Sequence, residues 1–295
     1  MFQVNDLALA LGTFDGIHKG HLNVLLEAKK LESTGLTPAV LVFDRHPQEV
    51  LSEKKHFLLL SPSEKDRIFK ENGILPVNVC FEEIKDLSPE EFVLFTKNLG
   101  AKALICGENF RFGKNSSGNT EILWKLCEKH GIIFRTAKSE YFEGSLISSS
   151  RIRELIRNGE IEKANEMLGR NFSYDFPVSH GKGNGAAWGF PTANQKIPDD
   201  FIRPRFGVYA SKALIDGKIY PAVTNFGVKP TVTNSGEAVS ETFVLKFDGD
   251  LYGKELRVEL IKFLRDEQKF ESVDALISQV KQDSKKAVGI IDCSK

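Results

Sequence analysis

The chain has little that ties it to an oxidising compartment, a membrane or a polyanion. Its four cysteines, Cys80, Cys106, Cys127 and Cys293, form no CxxC pair. That leaves no redox motif or disulfide framework to organise the fold and points to reduced thiols in a cytoplasmic protein. No apolar run approaches the roughly 18 residues that cross a bilayer. The opening "MFQVNDLALALG" lacks the basic start and long apolar stretch of a secretory leader, so it reads as mature structure. Lys plus Arg and Asp plus Glu each number 40, giving zero net charge. A broad basic surface for nucleic acid or an anionic membrane is therefore not expected, although a local phosphate site remains open. There is no internal repeat and no low-complexity tract.

What is present is an ordinary core-forming composition, 41% apolar and 27% charged over 295 residues, enough for two domains. Residues 7–11, 38–43, 76–81, 102–106 and 132–135 read as short buried strands, and 20–32, 62–72, 88–99 and 119–130 as helices. In "SPEEFVLFTKNLG" Ser88 is placed to cap, Pro89 to open the first turn and Gly100 to end the helix. Strands alternating with helices predict an α/β domain with a parallel sheet. From about residue 178 Gly, Pro and Thr rise and helical periodicity fades. "GVYASKALIDGKIYPAVTNFG" reads as a hairpin turned at "IDGK", and "TFVLKFDGDLYGKELRVELIKFL" as two more strands. With one amphipathic helix at the end, this half predicts an antiparallel barrel. The boundary falls at 170/171, giving domains 1–170 and 171–295.

Two stretches carry chemistry. "LGTFDGIHKGH" (11–21) follows a strand and opens a helix, where parallel α/β sheets bind ligands and helix N-termini hold phosphates. Gly12, Gly16 and Gly20 allow close approach of a ligand to the backbone. His18 and His21, three apart, share a helical face and can hydrogen-bond phosphate oxygens as charge builds on them. A zinc site at this H-x-x-H lacks a cysteine or third histidine nearby in sequence. In "GFPTANQ" (189–195), Thr192 and Asn194 are hard oxygen donors two apart, the spacing that puts both on one side of an extended segment. Alone, P-T-A-N is a common turn, and an H-x-x-H is a common core or surface pair.

"GTFDGIHKGH" resembles the HxGH signature of the nucleotidylyltransferase superfamily. "ISSSRIR" (147–153) is similar to its ISSTxxR motif, with Ser150 where Thr is usual. "VFDRHPQEVL" and "ICGENFRFGKNSSGN" resemble the FMN adenylyltransferase domain of bacterial FAD synthetases. "HGKGNGAAWGFPTAN", "GVYA", "NFGVKPTV", "SETFVLKF", "GDLYGK" and "FLRDEQKF" follow one another in the order seen in riboflavin kinase. Together they resemble the bacterial bifunctional riboflavin kinase/FAD synthetase family. That resemblance implies a Rossmann-like nucleotidylyltransferase domain followed by a riboflavin kinase barrel, with riboflavin, FMN and ATP as substrates and Mg2+ as cofactor. By position it assigns ATP and its phosphates to Gly12, Phe14, Asp15, Gly16, Ser148, Ser149, Ser150, His180, Gly181, Lys182 and Gly189. His18, His21 and Arg153 act in adenylyl transfer, Asn109, Phe110 and Phe112 face the flavin, and Thr192 and Asn194 bind Mg-ATP. Glu241 is the base for the ribityl 5′-hydroxyl. The implied protein is a monomer or weak homo-oligomer with no nucleic-acid or membrane partner.

Two departures stand out. Ala186 and Ala187 occupy the loop where many members carry an Arg, with Lys182 as a candidate substitute, and Phe243 stands where a His is frequent. The rival readings are a flavin-binding regulator with degenerate sites and a cytidylyltransferase, which "GTFD" also resembles.

Overall fold

Five short apolar runs line up as the parallel strands expected of them. The computed structural model describes residues 6–52, 55–181, 184–229 and 237–292. These group into two compact units, Met1–His56 with Pro62–Ser149, and Phe57–Ser61 with Ser150–Lys295.

In the first unit the chain runs β1 (Leu7–Ala10), α1 (Lys19–Lys30), β2 (Thr37–Phe43), α2 (Pro47–Ser52), α3 (Pro62–Glu71), β3 (Leu75–Val79), α4 (Phe81–Ile84), α5 (Pro89–Asn98), β4 (Ala101–Gly107), α6 (Thr120–His130) and β5 (Ile133–Ala137), then the short pair β6 (Tyr141–Phe142) and β7 (Ser145–Leu146). The sheet order is β3-β2-β1-β4-β5, all parallel. Central β1 is buried at every position, so it reads as continuous hydrophobe rather than alternation. Ser88 caps α5 in a full capping box, its hydroxyl accepting the Glu91 N–H while the Glu91 carboxylate accepts the Ser88 N–H. Cys106 and Cys127 lie in the core, where burial pushes both thiols up to about 12 and leaves them neutral.

In the second unit α7 (Ser149–Asn158) and α8 (Ile161–Leu168) precede β8 (Phe172–Ser179), α9 (Asn184–Ala187), β9 (Thr192–Lys196), β10 (Gly207–Ile215), β11 (Lys218–Lys229), β12 (Glu237–Val244), β13 (Glu255–Arg265) and α10 (Val273–Asp292). The strands close an antiparallel barrel in the order β10-β11-β12-β9-β8-β13. The β10–β11 hairpin turns on Asp216 and Gly217, with φ 48° and 75°, the two positive values a tight hairpin loop of this twist requires. Inside the barrel a hydroxyl chain, Ser211 to Thr224 at 2.8 Å and Thr224 to Thr242 at 2.9 Å, satisfies buried polar groups.

The compact units divide at Ser149/Ser150, about twenty residues before the 170/171 boundary read from composition. The reason is apolar burial. Ile152, Ile156, Ile161, Ala164 and Met167 on α7 and α8 are all fully buried, and α8 packs on β8 and β13. Leu58 also pairs with Phe201, drawing residues 57–61 into this unit. A fragment of residues 171–295 loses these faces, at about 1.5–3 kcal/mol for each large side chain uncovered. It is expected to melt well below a 150–295 fragment. Thermal unfolding of the two fragments checks this, and equal midpoints would show that α7 and α8 are dispensable to the barrel.

Candidate functional site

The turn between β1 and α1 is strained and dry. Phe14, Gly16 and Ile17 all have positive φ, 46°, 82° and 40°. Phe14 and Ile17 are nonetheless fully buried. A left-handed conformation costs a residue with a Cβ about 1–2 kcal/mol, so the surrounding core holds this turn in place. Its product is the placement of two imidazoles. His18 caps α1, its Nδ1 accepting the His21 N–H at 3.3 Å, and the two rings stack at 3.8 Å and 13°. Phe14 packs against His21 at 5.2 Å. A Cβ on Gly20 would lie 3.3 Å from the His18 ring, a tight contact that would press on the imidazole. Ser149 donates its hydroxyl to the Asp15 carbonyl, fastening the start of "SSSRIR" to the same turn.

The site sits at the carboxyl ends of β1 and β4, neighbours in the sheet, and β1 is where the strand order reverses, the usual ligand crevice of such sheets. Beyond β4, Asn109 is exposed and Phe110 half-buried. Phe110 lies parallel to Phe112 at 5.7 Å, and Phe112 is itself a core residue against Phe92. Of the two aromatics, Phe110 has a face to offer and Phe112 backs it. Ser150 and Arg153 group with the second unit. There the Arg153 Nε donates to the Phe57 carbonyl at 2.7 Å, and burial first, then Arg157, lowers the guanidinium to about 10, still cationic at neutral pH.

Beside His18 lies a cluster that sequence spacing does not reveal. His56 Nε2 is 3.2 Å from Asp15 Oδ2, and His46 stacks on His56 at 3.5 Å and 7°. Burial first, then the charges of His56 and Lys65, hold His46 down at about 4. Burial also lowers His56, against the opposing pull of Glu49.

In the barrel, strand register does the work. Glu241 on β12 lies directly opposite Asn194 on β9 and Asn225 on β11, and Phe243 opposite Thr192. Directly paired residues share a face of the sheet, so Thr192, Asn194, Asn225 and Glu241 stand together on the outside. Their neighbours Ala193, Ser240 and Thr242 turn inward and are buried. This outer face forms one wall of a cavity of about 440 Å³, which Trp188, Phe190, Arg265 and Glu267 also line. Asn194 is 5% exposed, and its Nδ2 donates to the Thr192 carbonyl at 3.1 Å. A Cβ on Gly181 would come within 2.6 Å of that Nδ2, so only glycine leaves room beside the amide. Gly189 has φ +87°, the left-handed region that favours glycine. His180 is exposed and stacks on Tyr252 at 4.0 Å. Lys182 lies outside the described residues, as does the side chain of Ala186.

Sequence reasoning did not single out Asn225, Arg265 or Glu267. Asn225 and Glu267, joined at 3.1 Å, lie inside "NFGVKPTV" and "FLRDEQKF", so their motifs were visible but their convergence was not. Phe243, the unusual residue, meets Phe190 edge-on at 6.2 Å and completes an aromatic wall. A second hollow of about 550 Å³ beside α1 and β5, among Glu27, Lys30 and Arg135, holds none of the motif residues.

The profile of FAD synthetase matches residues 3–151 and that of riboflavin kinase residues 168–291. The chain is 33% identical over 283 residues to the bifunctional riboflavin kinase/FMN adenylyltransferase of Listeria monocytogenes, covering 93% of this chain and 89% of that protein. It is 34% identical over 290 residues to the Bacillus subtilis enzyme of the same name, covering 95% and 91%. A crystal structure from Streptococcus pneumoniae, described as a macrolide-efflux protein, has a TM-score of 0.85 at 30% identity, covering 96% of this chain and 93% of that one. Among the described residues no helix is long and apolar enough to cross a membrane. Two profiles in tandem, two relatives matched nearly end to end and the two motif-bearing units agree: the chain belongs to the bifunctional riboflavin kinase/FMN adenylyltransferase family.

Proposed function

We infer that the chain makes FAD in two steps at two sites. As a riboflavin kinase it transfers the γ-phosphoryl group of ATP to riboflavin, giving FMN and ADP. As an FMN adenylyltransferase it joins the AMP part of a second ATP to FMN, giving FAD and pyrophosphate. The observation that carries the reading is the register that sets Glu241 beside Asn194 on the cavity face. A primary alcohol must lose its proton as the phosphoryl group arrives, and a carboxylate at this place can accept it. The Thr192 hydroxyl and Asn194 amide oxygen are hard donors, and the bare Gly181 leaves space beside them. They fit Mg2+, which when bound with ATP neutralises phosphate charge.

For adenylyl transfer, His18 and His21 are assigned to stabilising the phosphates, with Gly12, Phe14, Asp15 and Gly16 shaping their turn. Ser148, Ser149, Ser150 and Arg153 are assigned to the leaving pyrophosphate, and Asn109 and Phe110, backed by Phe112, to the flavin. In the kinase half, His180, Gly181, Lys182 and Gly189 are assigned to ATP. The protein works in the cytoplasm as a monomer or weak homo-oligomer, without nucleic-acid or membrane partners. Neither a regulator with degenerate sites nor a cytidylyltransferase is favoured.

Incubation with riboflavin, ATP and Mg2+, followed by chromatography of the flavins, tests this, with CTP in a parallel arm. FMN and then FAD are expected with ATP. Tight flavin binding without turnover points to the regulator instead, and consumption of CTP to a cytidylyltransferase.

A further inference from the structure

The cluster of Asp15, His46 and His56 offers two imidazole nitrogens and one carboxylate oxygen, all within 4.8 Å of one another. We propose that these three side chains bind a divalent transition-metal ion of the Zn2+ class, at a site separate from the oxygen donors that serve Mg2+ in the barrel.

The donor set selects the ion. Imidazole with a carboxylate suits Zn2+ and its neighbours Co2+ and Ni2+, whereas Mg2+ prefers oxygen alone. The geometry is close to what a tetrahedral site needs. With bonds of about 2.0–2.2 Å, ligand atoms on one zinc stand roughly 3.3 Å apart. His56 Nε2 and Asp15 Oδ2 are already at 3.2 Å. The site is sheltered: Asp15 is 7% exposed and the His56 side chain 8%. Among the charged groups that act on the cluster are Glu49 toward His56 and Lys65 toward His46. The His46 ring, which stacks on His56 and accepts the Gln48 N–H at Nδ1 over 3.2 Å, would have to pivot out of that stack for its nitrogen to converge on an ion with His56 and Asp15. Three protein ligands leave one position open for water. Once filled, the site pins the turn that carries His18 to the segments that carry His46 and His56.

The test uses full-length protein stripped with a chelator and titrated with Co2+, whose visible absorption reports nitrogen and oxygen ligation. One equivalent is expected to bind, to be displaced by one equivalent of Zn2+ and to persist in millimolar Mg2+. In His56→Gln and His46→Ala the Co2+ affinity is expected to fall at least about tenfold, the loss typical when a metal's supporting groups are disturbed. Circular dichroism confirms that the variants are folded. Wild-type protein that shows no Co2+ band and retains no Zn2+ after dialysis would falsify the site, whatever the variants do. Unchanged affinity in both folded variants would overturn it equally, by placing the ion on other groups.

Discussion

Replacing Glu241 by glutamine is expected to lower FMN formation from riboflavin by about 100-fold or more, the usual contribution of a general base. Glutamine keeps the length and hydrogen-bonding capacity of glutamate but cannot accept the hydroxyl proton at neutral pH. The position makes the expectation specific. Glu241 is half-exposed on the cavity face, between Asn194 and Asn225, while its neighbours Ser240 and Thr242 are fully buried inside the barrel. The substitution therefore leaves the interior packing and the hydroxyl chain through Thr242 untouched. Stability is expected to stay within about 0.5 kcal/mol, as for most surface changes. The loss is expected in kcat rather than in the Michaelis constant for ATP, since the proposal gives ATP positioning to Thr192 and Asn194 and only proton transfer to Glu241. FAD formation from supplied FMN is expected to continue. Near-normal FMN turnover in the variant would remove the base assignment.

The mirror-image expectation concerns His21→Ala, which is expected to lower FAD formation by on the order of 100-fold or more while sparing FMN formation. Removing one preorganised contact to developing charge costs about that much. The His21 ring stacks on His18 at 3.8 Å and touches Phe14 at 5.2 Å, so its loss also removes one of the contacts that set the His18 ring. The main-chain N–H that His18 accepts survives the substitution, so the cap on α1 is kept. Steady-state rates of the two half-reactions, measured on the same preparation, decide the point. An unchanged FAD yield would show that the histidine pair is structural.

Elements built from contiguous signals were legible in the sequence. The parallel strands announced themselves as short apolar runs, α5 by Ser88, Pro89 and Glu91, and the β10–β11 turn by Asp216-Gly217. The motif turn at Gly12–His21 was found because strand, glycines and histidines are consecutive. What was not legible depends on partners far away in the chain. The pairing of Asn194 with Glu241 joins β9 to β12 across two intervening strands, and no local pattern encodes that register. The grouping of α7 and α8 with the second compact unit leaves no mark in composition, which distinguishes the barrel strands but not the helices that pack on them. Phe110 and Phe112, two apart, share one side of their segment and stack, and only the packing of Phe112 against Phe92, which no local pattern encodes, makes it the buried member of the pair. His56 carried no signal, since its meeting with Asp15 spans 41 positions.

If two independent sites on one chain act in sequence, a mixture of the two variants regains the pathway that each alone has lost. Neither Glu241→Gln nor His21→Ala alone is expected to make appreciable FAD from riboflavin, ATP and Mg2+. An equimolar mixture is expected to make it, with FMN from the His21→Ala protein appearing first and being consumed by the Glu241→Gln protein. A mixture that accumulates FMN without FAD, or that forms neither, would contradict the account.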